Sequence, residues 1–388
     1  MHRLQTPGTG CRVLHLGTGN LFGGVESLLL TLAHHRDVEP AVDVHFSTCF
    51  PGRLRDELNA TGSTVHSLPS VRMSRPWQIL KARRSLAELV RRHRFDVLIS
   101  HSAWVNLVFG PVLLQQGVQR VDWFHEIRLR LVWWEKWARR RPAALTLLNS
   151  QHTASRLQKR YAALRHEVLY CPVDPPPSFA PSDRLAIRRE LGAGDGDVVI
   201  ITACRMEAWK GHRLLIEGLG RLRDLRGWTC WIVGGAQRPE EQAYLKTLEQ
   251  QAAAAGIADR IRFTGQRKDV PRLLAGADIH CQPNLGPEPF GIVFIEALFS
   301  GLPVISTKLG GVVEIVTPAC GVLTPPENST ALAEALRGLI FDPVRRKLLG
   351  QEGPARARAL CDPIQQVSRL NQHLRGLAEI GRREEVTA

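Results

Sequence analysis

No uninterrupted apolar run of about 18 residues occurs in this 388-residue chain, so the sequence offers no membrane-spanning helix. The N-terminal MHRLQTPGTGCRVLHLG passes straight into a strand-like run, without the long apolar region of a secretory leader. None of the eight cysteines falls in a C-x-x-C pair, which removes the commonest zinc and redox spacings. Several cysteines sit in apolar runs, where a thiol behaves as a small hydrophobe. A reducing, cytoplasmic setting with no structural zinc is the expectation. Low-complexity tracts are missing as well. So is any recognised nucleic-acid-binding motif, and nucleic acid is not expected among the partners.

What remains is globular: 44% hydrophobic and 23% charged residues, enough for two full-sized cores. The net charge of +14 is unevenly spread. Residues up to Asp174 carry +11 and the rest only +3. A one-sided basic field suits an anionic partner such as an acidic membrane surface or a phosphorylated acceptor.

Short Val/Ile/Leu-rich runs alternate with helical patterns. In the first half the strands fall at Arg12–Leu16, Val42–Ser47, Thr64–Leu68, Asp96–Ser100, Arg120–Phe124, Leu145–Leu148 and Val168–Tyr170. CPVDPPPSFAPSD, from Cys171 to Asp183, interrupts the rhythm, because consecutive prolines deny both strand and helix. The alternation then restarts at Asp197–Ala203, Thr229–Val233, Ile261–Thr264, Ile279–Gln282, Pro303–Ser306 and Gly321–Leu323. The reading is α/β: two doubly wound, Rossmann-like domains facing one another across a central cleft. The first spans 1–174, with a C-terminal helix at 365–385 packing back on it, and the second spans 175–364.

Three loops carry candidate chemistry. GTGNLFGGVESLLLTLA follows the first strand and opens a helix, the right place for phosphate contact. A dinucleotide fingerprint needs glycine at position 22, and Phe22 stands there. Gly23 and Gly24 nevertheless leave backbone that a bulky ligand can approach, against the plainer reading of a tight strand-to-helix turn. In ACRMEAWKGH, Arg205 and Lys210 bracket a loop at the end of a strand; they are either solvated surface cations or a phosphate clamp. In GPEPFGIVFIEALFSGLPVIST, Glu288 and Glu296 flank a Pro-Phe-Gly turn and the start of an apolar helix. A helix N-terminus attracts an anion, and carboxylates accept from hydroxyls. Phosphate binding beside hydroxyl binding describes a nucleotide sugar. Glu296 lies among apolar neighbours, so a partner for its carboxylate is expected.

Two histidines follow strand-like runs. His101 reads as a satisfied polar residue at a strand end, and His125 fits that role and an active-site role equally well. Asp195-Gly-Asp197 spells D-x-D, a divalent-metal motif elsewhere, but it precedes the first strand of the second domain. That is the wrong end of a sheet for a ligand, and it reads as a turn.

With FGGVES, DVLISHS, the His125-Glu126 pair, LLNSQHTASRL, RMEAWKGH, IRFTGQRKDVPRLLAGADIHCQPN, EPFGIVFIEALFSGLPVI and TKLGGVVEIV in this order, the chain resembles a family-4 retaining glycosyltransferase of GT-B fold. The resemblance covers nearly the whole chain. It implies that Arg205 and Lys210 hold the donor diphosphate, that Glu296 binds the ribose hydroxyls, and that Glu288 lies by the donor sugar. It gives sugar and phosphate contacts to the amides around Phe290, Gly291 and Ile292. It places Gly23 and Gly24 over the phosphates and His125 by the transferred sugar. It also implies no cofactor and no metal, with a UDP- or GDP-sugar as donor and a glycan or lipid-linked acceptor. LYCPVD, where the family usually has Asn-Gly before Val-Asp, and Asn284 in place of a common serine depart from the pattern without removing a role.

IRLRLVWWEKWARRRP follows His125. Its Trp133, Trp134 and Trp137, with Arg139, Arg140 and Arg141, suit an anionic bilayer surface. They suit equally a helix whose tryptophans enter a core. A peripheral position on the inner face of the cell membrane follows from the first reading. A nucleotide-sugar epimerase, or a non-catalytic anion-binding protein, remains as an alternative.

Overall fold

A computed structural model describes residues 10–20, 22–114, 118–125, 143–159, 165–194 and 196–387. The chain divides into two compact units. One comprises Met1–Pro172 and Asp362–Ala388, and the other Val173–Cys361. The division lies two residues before the sequence-based boundary, inside the proline-rich stretch, where residues 171–180 take no regular structure.

Among its described residues the first unit holds seven strands: β1 (Cys11–Gly17), β2 (Val42–Thr48), β3 (Thr64–Ser67), β4 (Val97–Ser100), β5 (Gln119–Phe124), β6 (Leu145–Leu148) and β7 (His166–Val168). They form one sheet in the order β3-β2-β1-β4-β5-β6-β7, and all pairs are parallel. β1 is buried at every position except Arg12, and β4 throughout. Such continuous burial belongs to strands covered on both faces. β7 begins two residues earlier than expected. Its His166, Glu167 and Val168 pair with Thr146, Leu147 and Leu148, and a polar three-residue edge strand leaves little hydrophobic signal.

The helix Pro363–Thr387 returns to this unit. It buries Val367, Leu370, Leu374 and Leu377. Arg382 Nε reaches Asp96 Oδ1 at 3.1 Å, and Cys11 Sγ lies 3.7 Å from the Leu374 carbonyl.

The second unit holds β8 (Val198–Ala203), β9 (Trp228–Val233), β10 (Ile261–Gly265), β11 (Ile279–Gln282), β12 (Val304–Thr307) and β13 (Gly321–Thr324). These form a second parallel sheet, ordered β10-β9-β8-β11-β12-β13. In each sheet the strand order reverses once, between β1 and β4 and between β8 and β11. Loops leaving the carboxyl ends of strands at such a reversal diverge and leave a crevice for a ligand.

Candidate active site

The loops after β8 and β11, the reversal pair of the second sheet, bring the expected residues together. Lys210 follows β8 and Glu288 follows β11. Their Nζ and Oε2 atoms lie 2.6 Å apart, with side chains 12% and 9% exposed. This excludes the reading of Lys210 as a solvated surface cation. Asn284 Nδ2 and Gln282 Nε2 also donate to Glu288 Oε2, at 3.4 and 3.5 Å. Arg205 is more open and pairs with Glu207 at 3.0 Å.

Backbone contacts hold these loops. The carbonyl of Trp209 accepts from the amides of Leu285 and Gly286, and its indole donates to Glu207 Oε2 at 2.9 Å. Gly310 and Gly311 clasp the Glu288 loop from the other side. The Gly311 amide donates to the Glu288 carbonyl at 2.7 Å. Gly310 has φ +84, and a Cβ there would stand 2.4 Å from the Glu288 backbone. TKLGGVVEIV therefore supplies glycine for close backbone approach, a role that its sequence alone did not disclose.

The helix Ile292–Phe299 opens at Gly291, φ +97. Its first-turn amides, Ile292 among them, have no carbonyl within the helix to bond. Phe290 is buried, so only its backbone can serve a ligand. Phe294, Ile295, Ala297, Leu298 and Phe299 face the core. Ile292, Val293, Glu296 and Ser300 form the partly open face.

Glu296 corrects one expectation. Among the described residues no hydrogen bond or ion pair reaches its carboxylate; only its backbone carbonyl is engaged, by Ser300. Burial raises the carboxyl to about 7. A partly buried carboxyl without a protein partner among the described residues, one turn from a helix N-terminus, is free to accept from ligand hydroxyls.

The first unit presents its own set at the carboxyl ends of β1, β4 and β5, neighbours across the other reversal. The Gly23 amide donates to Glu26 Oε2 at 2.9 Å and caps the helix Gly24–His34. Gly23 has φ −166, which any residue adopts, and a Cβ there would meet nothing closer than 3.7 Å. The fold does not require glycine at this position.

Three histidines form a chain. His15 Nδ1 lies 2.9 Å from His101 Nε2, and His101 Nδ1 lies 3.1 Å from His125 Nε2. His15 and His101 are buried. Desolvation brings His15 and His125 down to about 3 and His101 well below its ordinary value. The rings are neutral at pH 7. Each inter-ring bond holds one proton, so the tautomers change only in concert. One set makes His125 Nδ1 a donor and the other makes it an acceptor. His101 is thus more than a satisfied strand-end residue: it links His125 to the sheet interior. The clue available was a histidine within the buried run Val13–Gly17 of β1.

Asp197 accepts from the Gly194 amide at 3.0 Å in the turn before β8; Asp195 lies outside the described residues. Trp133, Trp134, Trp137, Arg139, Arg140 and Arg141 also lie outside them. No described helix is long and apolar enough to cross a membrane.

Two family models match. Glycosyl transferases group 1 covers residues 183–356, and Glycosyltransferase Family 4 covers residues 22–177. A GDP-mannose-dependent monoacylated alpha-(1-6)-phosphatidylinositol monomannoside mannosyltransferase of Corynebacterium glutamicum is 33% identical over 187 residues, 46% of this chain and 47% of that protein. The chain thus spans about half the length of that relative. A GDP-mannose-dependent alpha-(1-6)-phosphatidylinositol monomannoside mannosyltransferase of Mycolicibacterium smegmatis is 28% identical, over 69% of this chain and 73% of that one. Among solved structures, Anabaena HepE in complex with UDP and glucose matches with a TM-score of 0.81 and 25% identity, covering 94% of this chain and 99% of that one.

Proposed function

The chain belongs to the family-4, group 1 glycosyltransferases, and from that premise we propose that it moves a sugar from a UDP- or GDP-sugar to a lipid-linked or glycan acceptor, with retention and without metal. The observation that carries the proposal is the Lys210–Glu288 pair at the β8/β11 reversal, with the unpartnered Glu296 carboxyl on the adjoining helix.

Lys210 has three N–H donors and spends one on Glu288. The others, with the forked guanidinium of Arg205, meet the diphosphate. Two fixed cations neutralise charge as the sugar–phosphate bond breaks, which supplies electrostatically what a divalent ion supplies elsewhere. Glu296 accepts the ribose hydroxyls, and the amides at Gly291 and Ile292 contact phosphate and sugar. Glu288 turns to the sugar hydroxyls as the diphosphate engages Lys210. The acceptor oxygen attacks the anomeric carbon on the face the leaving group vacates, and its proton passes to a diphosphate oxygen. His125 Nδ1 serves a sugar hydroxyl, and neutrality suits it to hydrogen bonding rather than to carrying charge.

Gly23 and Gly24 leave backbone that a phosphate can approach closely. Because the fold tolerates a side chain at Gly23, its glycine leaves room for something other than the protein. The Trp/Arg segment at 127–142 brings the enzyme to an anionic membrane surface, and the cytoplasmic leaflet is the matching location. A panel of UDP- and GDP-sugars, scored by donor hydrolysis and by the rise in melting temperature, tests the assignment. Loss of the response in both Lys210→Ala and Glu296→Ala is expected, and full activity in both would sink it.

A further inference from the structure

A second histidine cluster lies in the first unit, apart from the chain that ends at His125. His45 comes from β2, His66 from β3, and His93 is the last residue of the helix Pro76–His93. One ring nitrogen from each can be chosen so that all three lie within 4.8 Å of one another. His45 Nδ1 and His66 Nε2 are 2.9 Å apart. The His66 and His93 rings meet at 4.8 Å between centroids, inclined by 60°.

Sheet register makes this convergence. Ser47 pairs with His66, and His45 with Thr64, so His45 and His66 share one face of adjacent strands. Asp43 lies on that face too, and its Oδ1 is 3.2 Å from His45 Nε2. The carboxylate holds the proton on Nε2 and leaves the Nδ1 lone pair facing His66. A carboxylate behind an imidazole is the usual outer support of a metal-bound histidine.

The surrounding charges are mixed. Arg12 Nε lies 3.5 Å from Asp43 Oδ2, Arg12 Nη1 donates to the His93 carbonyl at 2.9 Å, and Arg92 adjoins His93. These cations oppose a bound dication. Asp43 and the C-terminal end of the helix favour one.

We propose that His45, His66 and His93 form a structural site for one imidazole-preferring divalent transition metal, zinc foremost, with Asp43 as the orienting carboxylate and water in the fourth position. Metal–nitrogen bonds of about 2.0–2.1 Å in a tetrahedron set the nitrogens about 3.3 Å apart. The closest pair opens slightly and the most distant one draws in, a motion that the part-exposed His93 at a helix end can make. Neutral imidazoles without thiolates select zinc, copper or nickel over magnesium and calcium. His93 leads into the amino end of β4, whereas His101 and His125 leave the carboxyl ends of β4 and β5. The metal therefore ties two strands to a helix and takes no part in sugar transfer.

The test uses the full-length, tag-free protein, stripped with chelator and titrated with Zn²⁺ against a chromophoric competitor. Co²⁺ serves as a spectroscopic probe of nitrogen-rich tetrahedral coordination. One equivalent of bound metal and a raised melting temperature are expected. His93→Gln, at a tolerant helix end, abolishes both while donor hydrolysis persists, and Asp43→Asn weakens affinity about 10–100-fold. Absence of uptake by the unsubstituted protein overturns the proposal, and so does equal uptake by His93→Gln. Unchanged affinity in Asp43→Asn removes the orienting role of Asp43.

Discussion

At the residue scale, Lys210 and Glu288 neutralise one another in a nearly buried pair. Removing only the lysine leaves a buried, uncompensated carboxylate, which costs about 3–5 kcal/mol. Lys210→Ala is therefore expected to lower both stability and kcat/KM, the latter by about 10²–10³-fold. The double substitution Lys210→Met with Glu288→Gln separates the two effects. Calorimetry should show recovered stability while turnover stays lost; recovery of turnover would mean that the pair is only structural.

Glu296 makes a pH prediction. Its carboxyl sits near 7, raised by desolvation from about 4.5. The folded state thus holds this proton more tightly than the unfolded state. The group's contribution to stability is fully present below about 4.5 and is lost as pH rises through about 7. Donor affinity runs the other way, because ribose hydroxyls donate better to the carboxylate. Calorimetric titration should show affinity rising through pH 7 with proton release, and Glu296→Gln should flatten the profile. The histidine chain should not add an inflection there, because His15 and His125 stay neutral down to about 3.

At the element scale, two glycines separate fold from function. Gly310 has positive φ, and a Cβ would press on the Glu288 backbone at 2.4 Å. Gly310→Ala should cost about 1–3 kcal/mol and displace the Glu288 loop, read as a lower melting temperature together with lost donor binding. Gly23 has extended φ and open space. Gly23→Ala should leave stability within about 0.5 kcal/mol and weaken donor binding alone. An unchanged donor affinity in Gly23→Ala would remove this loop from the site.

Among the described residues, the strands inside each sheet were legible from their Val/Ile/Leu runs, because a strand buried on both faces must be largely apolar along its length. The exception in register, β7, is a short polar edge strand whose position is decided by pairing with β6. Arg205, Lys210 and Glu288 were legible because their loops follow such strands. The partners of Glu288 at Gln282 and Asn284, and the link from His15 through His101 to His125, were not. Gln282 and Asn284 lie only six and four residues before Glu288, and the path of their loop, not their spacing, turns both amides onto its carboxylate. The three histidines come from different strands, whose side-by-side placement depends on strand order.

At the scale of the whole molecule, the chain closes on its first unit with the helix Pro363–Thr387. Each of Leu370, Leu374 and Leu377 is buried, and each contributes about 1.5–3 kcal/mol. Ending the chain at Asp362 should therefore unfold the first unit and spare the second. Two calorimetric transitions would reveal this, with only the one belonging to Val173–Cys361 retained. The basic charge, +11 up to Asp174, is expected to draw the protein to anionic vesicles. Replacing Trp133, Trp134 and Arg139–Arg141 should abolish co-sedimentation, and unchanged binding would exclude that segment as the membrane contact.

By itself the sequence determined the class: two parallel α/β units, a proline-rich break between them, and loops bearing cations and carboxylates after the right strands. Those features are local, set by periodicity, turn chemistry and residue type within about twenty positions. Tertiary structure alone decided which of these residues meet. Reversal of strand order places Lys210 against Glu288, 78 positions apart, helix packing leaves Glu296 without a partner among the described residues, and the pairing of β2 with β3 gathers His45 and His66 beside the helix end at His93. Pairing register and helix packing act over distances in sequence that no local pattern records.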